Sequence, residues 1–307
     1  MLDLVANILI GVIIAATPLV FTAIGELVVE KSGVLNLGVE GMMIIGAIAA
    51  FATTIETGSI LGGIVVAIIC GALMALLFAF LTQTLLANQV ATGLALTLFG
   101  LGLAALIGQG YSGKSAPPFL KLHIPGLSDL PVVGPLLFGH DFLVYLSFAL
   151  GIGVAWFLNR TRAGLIVRAI GENHDAAHAI GYPVVLIRYA TIMFGGACAA
   201  VGGAYLSIVQ TPLWVENMTA GRGWIALALV VFATWLPGRL YLGAYLFGGI
   251  TIVQLHSQAL GLKVEPQLLA MLPYLATIVV LVIISADRTR ARLNAPASLG
   301  QTFFASH

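Results

Sequence analysis

Ile60-Leu-Gly-Gly-Ile-Val-Val-Ala-Ile-Ile-Cys-Gly-Ala-Leu-Met-Ala-Leu-Leu-Phe-Ala-Phe-Leu81 contains no charged side chain and no proline. A helix crosses the hydrocarbon core of a bilayer with about 20 apolar residues, and this stretch has that length. Candidate spans recur on both sides of it, at residues 2–24, 39–53, 90–109, 142–158, 184–206, 224–235, 242–260 and 268–285. Several are short or interrupted by glycine. The chain as a whole agrees with a lipid solvent: 60% of its residues are hydrophobic and 8% charged, whereas a soluble domain carries about 25% charged residues. So few charges cannot cover a water-facing surface. The expected fold is an all-α, polytopic membrane protein of about 8–10 transmembrane helices, with at least one short or broken helix near residues 26–53. Residues 1–286 read as a single transmembrane domain and 287–307 as an exposed cytoplasmic tail.

The N-terminus lacks a basic region and a small-residue cleavage site, so residues 4–19 read as part of a first helix and not as a removed signal. A net charge of +1 gives no electrostatic footprint for nucleic acid. Cys70 and Cys198 lie in apolar runs and read as small core residues. No metal cluster, cofactor motif or nucleophile–base pair is visible, so neither metal nor cofactor is expected.

Lys and Arg placement orients the chain. Arg160, Arg162, Arg168 and Arg188 flank one loop, Arg239 sits in a short turn, and Arg288, Arg290 and Arg292 follow the last span. The opposite loops hold Lys114, Lys121, Arg222 and Lys263. The loop 159–187 and the C-terminus are therefore expected in the cytoplasm, and the proline-rich loop 110–141 outside. Residues 26–38 admit two readings, a cytoplasmic loop or half of a helix broken within the membrane.

Gly108-Gln-Gly-Tyr-Ser-Gly-Lys-Ser115 matches the phosphate-loop pattern. That motif needs a strand before it and a helix after it. Here a span precedes it and Pro117-Pro118 follow, so it is rejected. If ATP is used, another polypeptide binds it.

Three polar groupings remain. In Ser32-Gly-Val-Leu-Asn-Leu-Gly-Val-Glu40-Gly-Met-Met43, Asn36 and Glu40 lie beside apolar spans, close to Glu26 and Glu30. Ionisable groups at membrane depth face a cavity or a partner; an interfacial loop with solvated charges is the other reading. In the loop 159–187, Asn173 suits an N-cap, Asp175 the first turn, and Gly181 with Pro183 a stop. A short helix over 175–180 is expected, with Ala176, Ala177, Ala179 and Ile180 exposed for a groove on a soluble partner. The third grouping holds Asn88, Gln89, Thr92, Gln210, Trp214, Glu216, Asn217, Arg222, Trp224, Gln254 and His256. Amides hydrogen-bond hydroxyl groups and aromatics stack on planar rings, while Trp214 and Trp224 also fit an interfacial aromatic belt. Gln254 and His256 lie inside a span and suit either a pathway or helix–helix hydrogen bonding. The candidate pathway residues are Asn36, Glu40, Asn88, Gln89, Thr92, Trp214, Gln254 and His256.

Arg168–Pro183, followed by Met193-Phe-Gly-Gly-Ala-Cys-Ala-Ala-Val-Gly-Gly-Ala-Tyr205, resembles the coupling-helix region of ABC permeases of the branched-chain amino acid and ribose type. With Ser32–Met43, Ala87–Leu96, Gly221–Val230 and the tail Asn294–Gly300, the chain is similar to the subgroup that imports nucleosides. The turn Trp235–Arg239 and the histidines His174 and His178 depart from the pattern. The resemblance implies half of a pore in a bacterial inner membrane. It also implies a second permease subunit, a separate ATPase and an extracytoplasmic substrate-binding lipoprotein. The chain itself would hydrolyse nothing. Coupling to the ATPase would fall on Arg168, Gly171, Glu172, Asn173, Ala176, Ala177, Ile180 and Gly181. The rival from another class is an ion-coupled secondary transporter of a small polar solute. Such a carrier is expected to show carboxylate or cation sites in repeated halves, whereas Glu26, Glu30 and Glu40 all lie in one half.

Overall fold

The computed structural model describes residues 2–119, 133–259 and 294–304, with isolated positions between these ranges; side chains are described from residue 6 onward and up to residue 255 of the last long helix. Among the described residues the secondary structure is helical, with one isolated bridge between Ser115 and Leu213. The helices are α1 (Leu2–Lys31), α2 (Val39–Thr57), α3 (Ile60–Ala79), α4 (Gln89–Gly108), α5 (Val133–Phe138), α6 (Phe142–Arg160), α7 (Arg162–Glu172), α8 (His174–Ala179), α9 (Val184–Tyr205), α10 (Arg222–Phe232) and α11 (Pro237–Ala259). α3 and α9 each end in a five-residue π turn, Phe80–Thr84 and Leu206–Gln210. Six described helices are long and apolar enough to cross a membrane: α1 to α4, α6 and α9. The chain is an all-α, polytopic membrane protein. Of the expected span 268–285 only isolated positions such as Leu268, Met271 and Ile278 are described; the arginines at 288, 290 and 292 lie outside the described residues, as do Lys121 and Lys263.

The packing is inverted relative to a soluble bundle. On α3, Leu61, Val65, Ile69 and Leu73 form an exposed stripe four residues apart, while Gly63, Ala67, Gly71 and Ala75 are buried on the other face. Each exposed side chain of this kind would cost about 1.5–3 kcal/mol in water; against lipid tails it costs little. Small residues instead face inward, where they let backbones approach.

α9 is the centre of this arrangement. A Cβ at Gly195 or Gly202 would strike α1, at Val29 or Thr22 respectively. One at Gly196 or Gly203 would strike Ala75 of α3 or the Met43 carbonyl of α2. Two glycine pairs seven residues apart therefore present two bare faces to three helices. The register makes α9 antiparallel to α1 and α3 and parallel to α2. This is the close helix contact that small residues permit in a membrane.

Two features differ from the sequence expectation. Residues 26–31 continue α1, so the break falls at 32–38, in a buried turn. Residues 224–235 are not a full span: α10 has 11 residues, about 16 Å at 1.5 Å per residue. Such a helix reaches roughly half-way across the hydrocarbon.

Candidate functional site

α10 starts inside the molecule. Thr211–Leu213 lie at the end of the bundle where Leu213 meets Ser115, beyond the last turn of α4. By residue 219 the chain has returned to Glu40, in the first turn of α2. There the Glu40 carboxylate accepts from Thr219 Oγ1 (2.6 Å), Gly221 N (2.9 Å) and Gly223 N (2.6 Å). A helix start leaves backbone N–H groups unpaired and carries partial positive charge. α10 has no side-chain cap of its own; Glu40 supplies one from another helix. Gly223 permits the approach, since a Cβ there would lie 2.6 Å from Glu40 Cα. The turn is strained: Asn217 and Ala220 have φ of +56° and +46°, values that favour Asn and disfavour Ala.

Beside this junction lies a cleft of about 720 Å³ lined by Glu40, Leu101, Asn217, Gly221, Trp224 and Ile278, among others. Trp224 is 45% exposed and donates its indole N–H to the Leu37 carbonyl (3.3 Å). That bond fixes the ring while leaving a face open. An apolar cleft with one fixed aromatic and a few polar groups can hold a small ring-bearing solute. A second groove, between α1, α6, α7 and α9, is lined by apolar side chains and the Thr191 hydroxyl.

The expected pathway residues separate into groups. Glu40 lines the cleft. Asn36 is buried just below it, and its side-chain oxygen accepts from Gly38 N (3.0 Å), closing the turn into α2. Asn88 caps α4 through Ala91 N (3.0 Å), and Gln89 accepts from Leu35 N (2.9 Å). Both sit at the bundle end that carries α7 and α8, as does half-buried Thr92 one turn on. Trp214 is buried at the opposite end, against Gly108. Gln254 is half-buried on α11; the His256 side chain lies outside the described residues. Gly221 and Gly223, which hold Glu40 with Thr219, fall in the segment 221–230 that carries the family resemblance, but nothing in the sequence pairs them with Glu40.

Four carboxylate and guanidinium positions are informative. Glu26 and Glu30 are fully buried, and both Glu26 oxygens lack a hydrogen-bond partner. Glu30 accepts from Trp235 Nε1, which pins the α10–α11 turn to the end of α1. Arg222 starts α10, where it donates to the Met218 carbonyl (3.0 Å), and does not sit in an outer loop. Arg188, expected to flank a loop, is fully buried in α9 and donates to Ser32 O (3.2 Å), Gln83 Oε1 (3.4 Å) and Gln301 O (3.3 Å). A cation here satisfies the Ser32 carbonyl, just past the C-terminus of α1.

The segment 159–187 forms an elbow. Thr161 caps α7 through Gly164 N, and Asn173 caps α8 through Ala176 N (2.9 Å). Gly181, with φ of +94°, ends it. Gly171 is buried against the Lys31 carbonyl, where a side chain would not fit. Arg168 is half-buried, with its Nε unpartnered; Glu172 and Asn173 are exposed. Ala176 and Ala179 are exposed, and Ile180 is 72% exposed. Ala177 is not exposed as expected: it is buried with Ile170, Val184 and Phe303. The C-terminal residues holding Phe303 are not an exposed extension either, since Ser298 and Phe303 are buried. His174 is buried and its Nδ1 lies 3.3 Å from Arg188 Nη2. Burial, and secondarily the Arg188 charge, holds its pKa below the usual value, so the ring is a neutral acceptor.

The resemblance to a phosphate loop fails structurally. Gly108 ends a 20-residue helix, and a 3₁₀ turn, Gln109–Tyr111, follows. Lys114 lies over the Tyr111 ring at 4.9 Å.

Comparison with known proteins gives a consistent picture. The family described as branched-chain amino acid transport system / permease component matches residues 8–284. A protein of Haloferax volcanii, provisionally named a glucose ABC transporter permease protein, is 40% identical, covering 97% of each chain. The guanosine ABC transporter permease protein of Bacillus subtilis is 34% identical over 88% of this chain and 89% of its own. The nucleoside ABC transporter permease protein of Lactococcus lactis subsp. cremoris is 33% identical over 91% and 90%.

Proposed function

This chain belongs to the branched-chain amino acid transport system permease family, and on that premise we propose that it forms half of the pore of an ATP-driven nucleoside importer in a bacterial inner membrane. ATP is hydrolysed on a partner subunit that docks on α8. A second permease subunit completes the pore, and an extracytoplasmic lipoprotein delivers the substrate. Family membership favours this reading over an ion-coupled carrier.

The observation that carries the substrate class is Trp224: a fixed, half-exposed indole on a cleft of about 720 Å³. Base–aromatic stacking is worth about 1–3 kcal/mol per base. Two relatives whose names specify guanosine and nucleosides support the same class. The relative named for glucose sets the competing substrate.

The test is uptake into proteoliposomes carrying this chain with its ATPase, second permease and binding lipoprotein. Labelled nucleoside is expected to enter on ATP addition, with unlabelled nucleosides competing and glucose not. Trp224→Leu is expected to lower uptake about tenfold, the loss of one stacking contact, and Trp224→Phe to retain most of it. Competition by glucose alone would make the chain a hexose permease. Uptake driven by an ion gradient without the ATPase would refute the subunit reading.

A further inference from the structure

Residues 294–304 return to the helical bundle and tie the end of α1, the turn 32–38, the α7–α8 elbow, α4 and α9 to one another. Lys31 Nζ, at the end of α1, donates to Asn294 O (2.7 Å). Ser298 N donates to Gly171 O (2.8 Å), and Ser298 Oγ to Glu172 O (3.2 Å), at the α7–α8 elbow. Gly300 N donates to Gly33 O (3.1 Å), in the turn between α1 and α2. The Gln301 carbonyl accepts from Arg188 Nη1 of α9 (3.3 Å) and Gln89 Nε2 of α4 (3.5 Å). Phe303 then enters the inner face of α8. Its ring centroid lies 5.4 Å from that of His174 and 5.2 Å from that of His178, both edge-on.

A six-residue helix does not hold its shape alone, because nucleation is unfavourable. The inner face of α8, His174 and Ala177, is completed by Phe303 together with Ile170 and Val184. On its other side the segment holds the turn that leads into α2. In that turn Leu35 N is bonded to Gln89, Asn36 closes on Gly38, and Glu40 follows two residues later. Two of the ties, from Ser298 N and Gly300 N, are backbone to backbone and fix the segment independently of side-chain motion.

We propose that residues 294–304 are a positioning strap that links α8 to the turn at 32–38, so that displacement of α8 reaches Glu40 and the start of α10. This rests on the subunit reading above. Phe303 and Ser298 touch neither substrate nor nucleotide; they act through α8 and through Gly171.

The experiment uses the assembled importer in proteoliposomes and reads two quantities together, ATP hydrolysed and nucleoside imported. The variants are Phe303→Ala, Ser298→Pro and, as the conservative control, Phe303→Leu. Phe303→Ala and Ser298→Pro are expected to insert and to co-purify with the ATPase, yet to consume several-fold more ATP per imported molecule. Phe303→Leu is expected to restore the wild-type ratio. An unchanged ratio in both disruptive variants overturns the proposal. Loss of insertion or of ATPase binding in Phe303→Ala also overturns it, since the segment would then serve only folding or docking. Hydrogen exchange on the wild-type importer is an independent measure. Residues 32–38, 173–183 and 294–304 are expected to change protection together on ATP binding; a change confined to 173–183 overturns the strap. If the wild-type chain does not bind an ATPase at all, the subunit reading fails first and is recognised separately.

Discussion

At the residue scale, Glu40 shows how a carboxylate persists at membrane depth. An isolated charge there is costly, and three donors from the start of α10 offset that cost. Hydrogen bonds to charged groups contribute about 1.5–3 kcal/mol each. Glu40→Ala strands two backbone N–H groups and is expected to destabilise the protein by at least about 3 kcal/mol. The readout is a lower melting temperature in detergent and loss of uptake. Glu40→Gln keeps one acceptor oxygen but turns an amide NH₂ toward the second N–H, so an intermediate loss is expected. Wild-type melting in Glu40→Ala would mean that the carboxylate does not cap α10. The sequence exposes Glu40 as a polar residue among apolar ones. Its partners stand 179 and more positions away, so nothing local could name them. The burial of Arg188 is illegible for a related reason: in sequence it simply flanks a basic loop, and only the distant carbonyls of Ser32 and Gln301 explain why it is buried.

At the element scale, composition was informative where lipid contact dictates it and silent where tertiary partners do. The six long apolar helices follow from hydrophobic length, and the α9 glycine pairs from the need for close approach. The half-length of α10 does not follow from hydropathy, because a 12-residue apolar run reads the same whether it continues a span or starts beside a carboxylate. The capping of α8 by Asn173 and its stop at Gly181 were legible in the residue types. The inward turn of Ala177 was not, because Phe303 lies more than a hundred residues further on. This distinction sharpens a test of docking. Ala176→Arg places a guanidinium on the exposed face. It is expected to leave melting unchanged while weakening ATPase co-purification and abolishing ATP-driven uptake. Ala177→Arg instead drives the charge into Ile170, Val184 and Phe303 and is expected to lower melting by several degrees, through the cost of burying an unpaired charge. Retained ATPase binding and uptake in Ala176→Arg would move the docking site elsewhere, first to the turn after α10.

At the scale of the whole molecule, the helices sort their loops to two ends. Gly38 faces Gly93 and Gly41 faces Gly100, so α2 and α4 run parallel and Thr57 and Ser115 share one end. α1 is antiparallel to α9 and finishes at the other end, where Gly171 covers Lys31 and where Arg160, Arg162, Arg168 and residues 294–304 also lie. Positive residues accumulate on the cytoplasmic side of membrane proteins. This end is therefore expected to face the cytoplasm, with α1 starting outside. Single cysteines at Thr57, Ser115 and Ala176, in a Cys70→Ala, Cys198→Ala background, test this with an impermeant thiol reagent. Thr57 and Ala176 are exposed, and Cys198 is buried against Gly25, so removing the native thiols leaves a clean background. Thr57→Cys and Ser115→Cys are expected to label in intact cells, and Ala176→Cys only in inside-out vesicles. The reverse pattern would overturn the charge-based orientation while keeping the helix arrangement. Labelling of Thr57→Cys and Ser115→Cys from opposite sides would instead overturn the parallel packing of α2 and α4, and with it the return of the chain from Leu213 to Glu40.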